Sequence, residues 1–331
     1  MATMRAARLV DLRRFEIVEV PVPRPGPDEV LMRVTACGVC TSDTYAWNGD
    51  TAAPPLEPGA PGHEVCGEVV ERGAGVCGFE PGATATAIAF PGRGYAEYAV
   101  VPAAQVAPLP AAFQDRVVLG EPLACAMNAL RRSGVLPGDA VLLIGAGFMG
   151  VLVLTLLRHM GATPLVVADV GETGRAWAAR YGADLVLDPA APDFGECLDA
   201  ATGGTGFDVV IEAAGTASAL DLVAGAARIR ATVVLVGYHV GGPRSIDLQA
   251  WNWKGLTVVN GHERDDGIRT LGMRKALALL AHGRIGFDFV THRFALDDIG
   301  AAFDLLHERP PGYLKAVVDP RMAPGHAVGA R

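Results

Sequence analysis

Short apolar segments alternate with turn-forming residues through the first third of the chain. Proline and glycine recur between these segments, and many of the apolar residues are β-branched. Segments of this length and composition are typical of β-strands bounded by turns. We predict strands over residues 6–10, 16–20, 29–34, 63–70 and 95–101, which together indicate a mostly β domain, with a barrel as one candidate form.

From about Glu121 onward, strand-length and helix-length segments alternate. Residues 140–144 form a continuous apolar run, which is typical of a strand covered on both faces in a parallel sheet. This alternation predicts an α/β domain with a doubly wound parallel sheet of the Rossmann type. Further strands are predicted over residues 165–168, 185–187, 209–212, 232–236 and 256–259, and helices over residues 123–132, 151–160 and 175–181.

The last part of the chain is predicted to return to the first domain. Two helices, over residues 269–282 and 297–308, precede a final strand over residues 314–318. If that strand completes the β domain, the parallel sheet is an insertion within it. We therefore expect a catalytic domain formed by residues 1–122 and 261–331, and a nucleotide-binding domain formed by residues 123–260.

Length and composition fit two folded domains in a reducing compartment. Of the 331 residues, 50% are hydrophobic and 19% are charged, which suffices for two cores. A net charge of −8 disfavours nucleic-acid binding, because an acidic surface repels phosphates. The chain has no apolar run of about 18 residues, so we expect no membrane span. Six cysteines without a signal peptide predict a cytoplasmic protein with free or metal-bound thiols.

A glycine-rich segment follows the predicted strand at residues 140–144 and opens a helix. The segment Gly145-Ala146-Gly147-Phe148-Met149-Gly150 has the spacing of a dinucleotide-binding turn. Its three glycines permit the tight turn, close approach of the pyrophosphate, and close helix–strand packing. The N-terminus of the helix supplies free N–H groups to the phosphates.

The choice between cofactors is predicted from the residue that ends the next strand. Asp169 can accept hydrogen bonds from the ribose hydroxyls of a dinucleotide and repels a 2′-phosphate. Because residues 170–172 include no cation, we expect NAD to be favoured over NADP. Gly215 and Gly237, near the ends of two later strands, are further candidate cofactor contacts.

Four residues are candidate ligands for zinc, namely Cys40, His63, Glu64 and Glu121. A thiolate, an imidazole and a carboxylate are donors found in catalytic zinc sites, which keep one position open for substrate. Their spacing is too long for a local motif, so the residues alone leave a second interpretation. In that interpretation Cys40 is a small buried apolar residue and His63 is a polar residue at the start of a strand.

Several motifs resemble those of the zinc-dependent medium-chain alcohol dehydrogenases. Residues 37–43 are similar to that family's zinc-ligand turn, and residues 61–70 to its second-ligand motif. Residues 120–123 are similar to the third-ligand region of the sorbitol and threonine dehydrogenase branch, and residues 314–317 to the C-terminal return. The resemblance spans nearly the whole chain. It implies a Rossmann domain inserted into a GroES-like catalytic domain.

The same resemblance implies a role for each matching residue. The zinc ligands would be Cys40, His63 and either Glu64 or Glu121. Asp43 would accept a hydrogen bond from His63 and fix the tautomer of its ring. Ser42 would be the first acceptor of the proton that leaves the alcohol.

Two features depart from the family pattern. Many members have a histidine three residues after the relay serine, where this chain has Tyr45. A phenol, which titrates near about 10, accepts a proton at neutral pH less readily than an imidazole near about 6.5, so water is an alternative acceptor. Many relatives also carry four cysteines that bind a structural zinc, and residues 79–93 contain none. We therefore expect one catalytic zinc and no structural zinc.

The resemblance thus implies an oxidoreductase that transfers hydride between NAD(H) and a secondary alcohol or its ketone. A polyol, cyclitol or hydroxy-amino acid is the expected substrate class. Two other interpretations remain open, a zinc-free reductase of an activated double bond and a non-catalytic dinucleotide-binding sensor. We also expect a homodimer or homotetramer, because the apolar strand at residues 256–259 could pair across a two-fold axis.

Overall fold

The computed structural model describes residues 2–50, 54–90, 92–325 and 328–329. Contacts between Cα atoms divide the chain into two compact units. Unit 1 consists of Met1–Ala124 and Asp265–Arg331, and unit 2 consists of Cys125–Arg264.

The strands and helices of both units follow in chain order. The strands are β1 (Thr3–Asp11), β2 (Arg14–Pro21), β3 (Glu29–Gly38), β4 (Glu64–Arg72), β5 (Thr84–Ile88), β6 (Tyr98–Pro102), β7 (Val106–Pro108), β8 (Val141–Ile144), β9 (Leu165–Ala168), β10 (Leu185–Leu187), β11 (Phe207–Glu212), β12 (Ala227–Leu235), β13 (Thr257–Asn260), β14 (His292–Ala295), β15 (Ala316–Asp319) and β16 (Val328–Gly329). The helices are α1 (Asp43–Asn48), α2 (Gly120–Ser133), α3 (Phe148–Leu157), α4 (Glu172–Arg180), α5 (Phe194–Thr202), α6 (Ala217–Ala226), α7 (Leu248–Lys254), α8 (Asp266–Ala281) and α9 (Ile299–Glu308). Short 3₁₀ turns lie at Ala103–Gln105, Ala111–Phe113 and Leu296–Asp298.

Unit 1 is built on a mixed, mostly antiparallel sheet. Its order is β16-β14-β15-β3-β4-β5-β7, and β6 pairs with β3 outside this path. β1 and β2 form a separate antiparallel hairpin. β15 pairs with β3 so that Val317 lies opposite Gly38, which joins the end of the chain to its N-terminal strands.

Aromatic side chains fill the centre of unit 1. Trp47 and Phe303 are fully buried, with ring centroids 5.6 Å apart, and Tyr95 meets Phe303 edge-on at 5.8 Å. These three rings come from α1, α9 and the segment before β6, so the core ties the C-terminal helix to the strands.

Unit 2 is a parallel six-stranded sheet with the order β10-β9-β8-β11-β12-β13. All four residues of β8 are buried, as expected for a strand covered on both faces. Crossing helices connect the strands, and the order reverses between β8 and β11. The predicted doubly wound parallel sheet is therefore confirmed. No helix within the described ranges is both long and apolar enough to span a membrane.

Some short elements escape sequence analysis. β5 has the sequence Thr-Ala-Thr-Ala-Ile, and alanine is depleted in strands, so its pattern is weak. β7 has three residues and is held by pairing with β5 rather than by its own composition. In unit 2, α5, α6 and α7 also lie outside the predicted helices. Their 7 to 10 residues give only two or three turns of periodic signal.

Sterics at the turn between β8 and α3 require glycine. Gly145 has a φ of +98°, a conformation that residues with a Cβ rarely adopt. A Cβ on Gly150 would lie 2.0 Å from the carbonyl oxygen of Gly145, so α3 packs directly on the turn. A Cβ on Gly147 would instead meet no atom of the described chain within 4 Å. The turn is therefore tightly packed on its inner side and open at Gly147.

This packing predicts that Gly150→Ala destabilises the fold. The added methyl group overpacks a rigid backbone contact, which typically costs about 1–3 kcal/mol and lowers the thermal midpoint by several degrees. Gly225→Ala is the matched control, because Gly225 is an exposed helical residue whose Cβ would meet no atom of the described residues within 4 Å. Thermal unfolding followed by circular dichroism compares the two variants. Equal midpoints for both would contradict the packing described here.

Candidate functional site

Three donor atoms from Cys40, His63 and Glu64 lie within 4.8 Å of one another in unit 1. Cys40 follows β3, while His63 and Glu64 stand at the start of β4, and the two strands pair with Gly38 opposite Glu64. Exposure is 4% for His63 and 1% for Glu64. A sulfur, a nitrogen and an oxygen donor, the last two on buried side chains, match the chemistry of a catalytic zinc site.

Asp43 holds the imidazole of this group. Its Oδ1 lies 3.0 Å from Nδ1 of His63, and its Oδ2 accepts hydrogen bonds from the Cys40 N–H at 3.2 Å and the Tyr95 hydroxyl at 2.5 Å. Burial lowers the pKa of His63, but the Asp43 carboxylate and the Cys40 sulfur outweigh it and raise that pKa well above its usual range. The ring is thus fixed through Nδ1, which leaves Nε2 as the nitrogen for a metal.

A buried ion pair holds the carboxylate of the group. Nζ of Lys315, which is 3% exposed, donates to Glu64 Oε1 at 2.7 Å and to the Val39 carbonyl oxygen at 3.0 Å. Burial raises the pKa of Glu64, and the nearby ammonium group opposes that rise. For Lys315 burial lowers the pKa, but Glu64 and Cys40 reverse this and raise it.

The second oxygen of Glu64 supports assignment of a metal site. Glu64 Oε2 is buried and accepts no hydrogen bond from any residue that the structure describes. Such an atom is costly unless a ligand or ion satisfies it. Gly38 makes room for it, because a Cβ there would lie 1.9 Å from Oε2. The donor set and the unsatisfied oxygen therefore fit a zinc ion.

Glu121 lies at the edge of this group rather than inside it. It sits in the first turn of α2, is 8% exposed, and is not among the donors within 4.8 Å. Its Oε1 is 4.0 Å from Nη2 of Arg269. It is close enough that its charge contributes to the raised pKa of Glu64. The structure thus favours Glu64 as the third donor and leaves Glu121 nearby.

The two predicted relay residues lie on α1 and at its start. The Ser42 hydroxyl donates to Cys40 Sγ at 3.2 Å, so it borders the donor group directly. Tyr45 is a half-buried residue one turn further along α1.

In unit 2 the predicted dinucleotide residues line the carboxyl edge of the parallel sheet. Asp169 follows β9; its Oδ2 accepts from the Ala146 N–H at 2.6 Å, and its Oδ1 from the Gly171 N–H at 2.7 Å. Asp169 is thus bonded to the glycine-rich turn itself. Phe148 and Met149 begin α3, whose N-terminus supplies N–H groups at this edge.

Glycines also line the other half of this edge. Gly215 has a φ of +72°, and a Cβ on Gly237 would lie 2.4 Å from the Gly215 nitrogen. Glu212, fully buried at the end of β11, accepts from the N–H groups of Ala214 and Gly215 and lies 2.9 Å from His239 Nε2. The turns after β11 and β12 are therefore packed against each other, and such edges are where α/β sheets bind ligands.

Comparison with known proteins agrees with this geometry. Residues 26–111 match the alcohol dehydrogenase GroES-like domain, and residues 149–278 match the zinc-binding dehydrogenase family. The L-threonine 3-dehydrogenase of Pyrococcus abyssi is 33% identical over 332 residues, covering 90% of this chain and 93% of the relative. The chain belongs to the zinc-dependent medium-chain alcohol dehydrogenase family.

Two further relatives place this dehydrogenase in the predicted branch. The L-galactonate-5-dehydrogenase of Escherichia coli K12 is 28% identical over 310 residues, covering 86% of this chain and 89% of the relative. The crystal structure of 2R,3R-butanediol dehydrogenase from Bacillus subtilis aligns with a TM-score of 0.82 at 26% identity, covering 96% of this chain and 100% of that one. The family resemblance predicted from the sequence motifs is confirmed.

Several residues that shape the sites of this dehydrogenase were missed by sequence reasoning. Lys315 and Tyr95 contact the metal-site residues, and Glu212 ties two cofactor-edge turns together. Lys315 carries a usable signal, since a lysine within a short apolar, strand-like segment is rarely buried without a partner. Tyr95 and Glu212 sit in ordinary strand-like contexts, where nothing local distinguishes them.

The expectation that no cation lies near Asp169 is wrong. Arg175, one turn into α4, places Nη1 2.9 Å from the Asp169 carbonyl oxygen and 2.8 Å from that of Val170. The expectation covered residues 170–172 alone. The helix brings its next turn back over the end of β9, so a residue six positions later reaches the same place.

The Lys315–Glu64 pair predicts that replacing Lys315 alone destabilises the protein much more than replacing both residues together. Lys315→Met leaves a buried carboxylate without its counter-charge, which typically costs about 3–5 kcal/mol. Adding Glu64→Gln removes that charge and should recover most of the loss. Thermal unfolding of the chelator-treated proteins measures both effects. A single variant as stable as the unmodified protein would contradict the buried pair.

Proposed function

We propose that this dehydrogenase interconverts a secondary alcohol and its ketone with NAD(H) and one catalytic zinc. The single observation that carries the proposal is the Cys40–His63–Glu64 group, in which His63 and Glu64 are buried and one Glu64 oxygen is unsatisfied within the described chain. A zinc-free reductase or a dinucleotide sensor would have no use for three converging donors with this chemistry. Bound zinc would supply a Lewis acid that stabilises the alkoxide form of the alcohol, and NAD would accept the hydride.

The proposed metal ligands are Cys40, His63 and Glu64. Asp43 fixes the His63 ring through Nδ1, so that Nε2 is available. Lys315 holds Oε1 of Glu64, so that Oε2 is the oxygen left for the ion. Glu121, just outside the group, is proposed to exchange with Glu64 or water when the site opens.

Ser42 is proposed to receive the alcohol's proton. Its hydroxyl already borders Cys40 Sγ, which places it beside the proposed reaction centre. Tyr45 lies one helical turn away and is proposed to serve as a later acceptor or to be replaced by water.

The cofactor is proposed to lie along the carboxyl edge of unit 2. The opening at Gly147 and the N-terminus of α3 suit a pyrophosphate, with Gly145 and Gly150 shaping the turn. Asp169 is proposed to face the adenosine ribose and to favour NAD over NADP. Gly215 and Gly237 are proposed to line the nicotinamide half.

The substrate class is proposed from the relatives. The names of three relatives point to threonine at carbon 3, galactonate at carbon 5 and 2,3-butanediol. In each compound a secondary alcohol lies beside at least one other polar group. We therefore propose a polyol, cyclitol or hydroxy-amino acid. A screen of these compounds, read by NADH absorbance, would identify the substrate.

A homodimer or homotetramer is proposed from the edge of the parallel sheet. β13 is one of the two edge strands of that sheet, and Val258 on it is 46% exposed. Trp253 and Leu248 nearby on α7 are 85% and 58% exposed. A second copy covering this apolar edge would satisfy its free backbone groups. The structure describes all six cysteines and joins none of them in a disulfide, which supports a cytoplasmic location.

The metal assignment predicts about one zinc per chain, together with its loss on substitution of a ligand. Cys40→Ala or His63→Ala should lose both metal and dehydrogenase activity, because a three-donor site cannot spare one donor. Cys77→Ala is the control, since Cys77 is an exposed free thiol and should keep both. Elemental mass spectrometry measures the zinc bound per chain in each variant. Stoichiometric zinc in both ligand variants would rule out this site.

The relay assignment predicts that Ser42 matters more than Tyr45. Ser42→Ala should lower kcat by about 10² to 10⁴, as expected for loss of a positioned proton-transfer group. Tyr45→Phe should cost about tenfold or less, because water can replace a more distant acceptor. The check is kcat against pH for both variants. A Tyr45→Phe enzyme as damaged as Ser42→Ala would show that the relay is wrongly assigned.

A further inference from the structure

We propose that Asp188 masks a cationic site for the 2′-phosphate of adenosine, formed by Arg175, and is thereby a specificity-determining residue for the cofactor. This inference rests on the proposed dinucleotide site at the carboxyl edge of unit 2. Asp169 is then one of two carboxylates that select NAD, and the second acts by restraining a cation.

Arg175 lies where a 2′-phosphate would be placed. Its guanidinium contacts the carbonyl oxygens of Asp169 and Val170, which form the turn directly after β9. The carboxylate of Asp169 in the same turn is bonded to the glycine-rich segment at Ala146. Because the ribose of a dinucleotide meets the residue that ends this strand, its 2′ position falls beside the turn that Arg175 touches.

Asp188 holds the guanidinium in this position. Its Oδ2 lies 3.0 Å from Nη1 of Arg175, and its Oδ1 accepts the Ala190 N–H at 2.9 Å. Asp188 follows β10, and β10 pairs in parallel with β9, so both carboxylates stand at the same edge of the sheet. The backbone contact with Ala190 orients Asp188 toward Arg175.

The charges and contacts at this turn disfavour a phosphate beside Arg175. The groups joined by these contacts are the carboxylates of Asp169 and Asp188 and the Arg175 guanidinium, whose net charge of −1 disfavours a dianion. Nη1, the nitrogen shared by all three contacts, is also already occupied by acceptors. The side chains are only partly covered, with 27% of Arg175 and 33% of Asp188 exposed, and Val170 is 74% exposed. Arg175 is therefore restrained by charge and hydrogen bonding rather than by crowding, and neutralising Asp188 should free its guanidinium.

The variant Asp188→Asn tests this directly. Asparagine keeps an oxygen for the Ala190 N–H, and its NH2 group replaces the Oδ2 that faces Arg175. Both the charge and the acceptor that restrain Arg175 are therefore removed. The probes are 2′,5′-ADP, which carries the 2′-phosphate, and 5′-ADP, which does not; calorimetry measures both. Affinity for 2′,5′-ADP should rise about tenfold or more, as a charge-assisted Arg–phosphate contact allows. Affinity for 5′-ADP should change by less than about twofold, since its contacts are not altered.

Two further variants separate release of Arg175 from a general loss of negative charge. Glu172→Gln removes an exposed charge from the same turn of α4, and it should change 2′,5′-ADP affinity by less than about twofold because exposed charges are screened. Asp188→Asn with Arg175→Met should lose the gain entirely. A gain that survives in the double variant, or an equal gain in Glu172→Gln, would overturn the proposal. If the unmodified protein fails to bind 5′-ADP, the proposed dinucleotide site itself is wrong.

Discussion

The buried carboxylate of Glu64 sets the constraint on which the proposed metal site of unit 1 depends. Removing a carboxylate from water is costly unless a counter-charge and hydrogen bonds replace the solvent. Lys315 supplies both through Oε1, and Gly38 leaves space for Oε2. One oxygen is therefore neutralised while the other stays available beside a thiol and an imidazole. A metal ion beside these donors would satisfy the buried oxygen that is left.

This constraint also explains why the two ends of the chain meet in one unit. Gly38 ends β3 and Lys315 immediately precedes β15, and these strands pair with Val317 opposite Gly38. The ion pair therefore forms only when the C-terminal return is in register. Asp43, anchored by Tyr95, fixes the other side of the group. The proposed ligand donors thus lie at the ends of adjacent strands, but the side chains that orient them come from distant parts of the chain.

The sequence predicts features that depend on neighbouring residues, and it does not predict those that depend on contacts between distant parts of the chain. The glycine-rich turn and the parallel sheet were predictable, because β8 is a buried apolar run followed at once by glycines of diagnostic spacing. Cys40 and His63 became candidates through family motifs. The choice between Glu64 and Glu121 stayed open, since only strand pairing shows which carboxylate meets the sulfur and nitrogen.

The roles of other residues also depend on contacts that the neighbouring sequence does not reveal. Lys315 acquires its role from strand register, and the contact of Arg175 depends on how α4 folds back over β9. Both are cations whose partners lie on other elements. The helices α5 to α7 were missed because the apolar pattern of a two- or three-turn helix resembles that of the strands around it. These contacts are determined by how strands and helices pack together, which the identity of each residue does not reveal.

Zinc K-edge X-ray absorption on the purified enzyme tests the central claim most directly. The account predicts a first shell with one sulfur at about 2.3 Å and two or more nitrogen or oxygen donors at about 2.0–2.2 Å. One sulfur with mixed light donors is what Cys40, His63 and Glu64 can supply together. A shell with two or more sulfurs, or with none, would contradict the donor set on which the account of this enzyme is built.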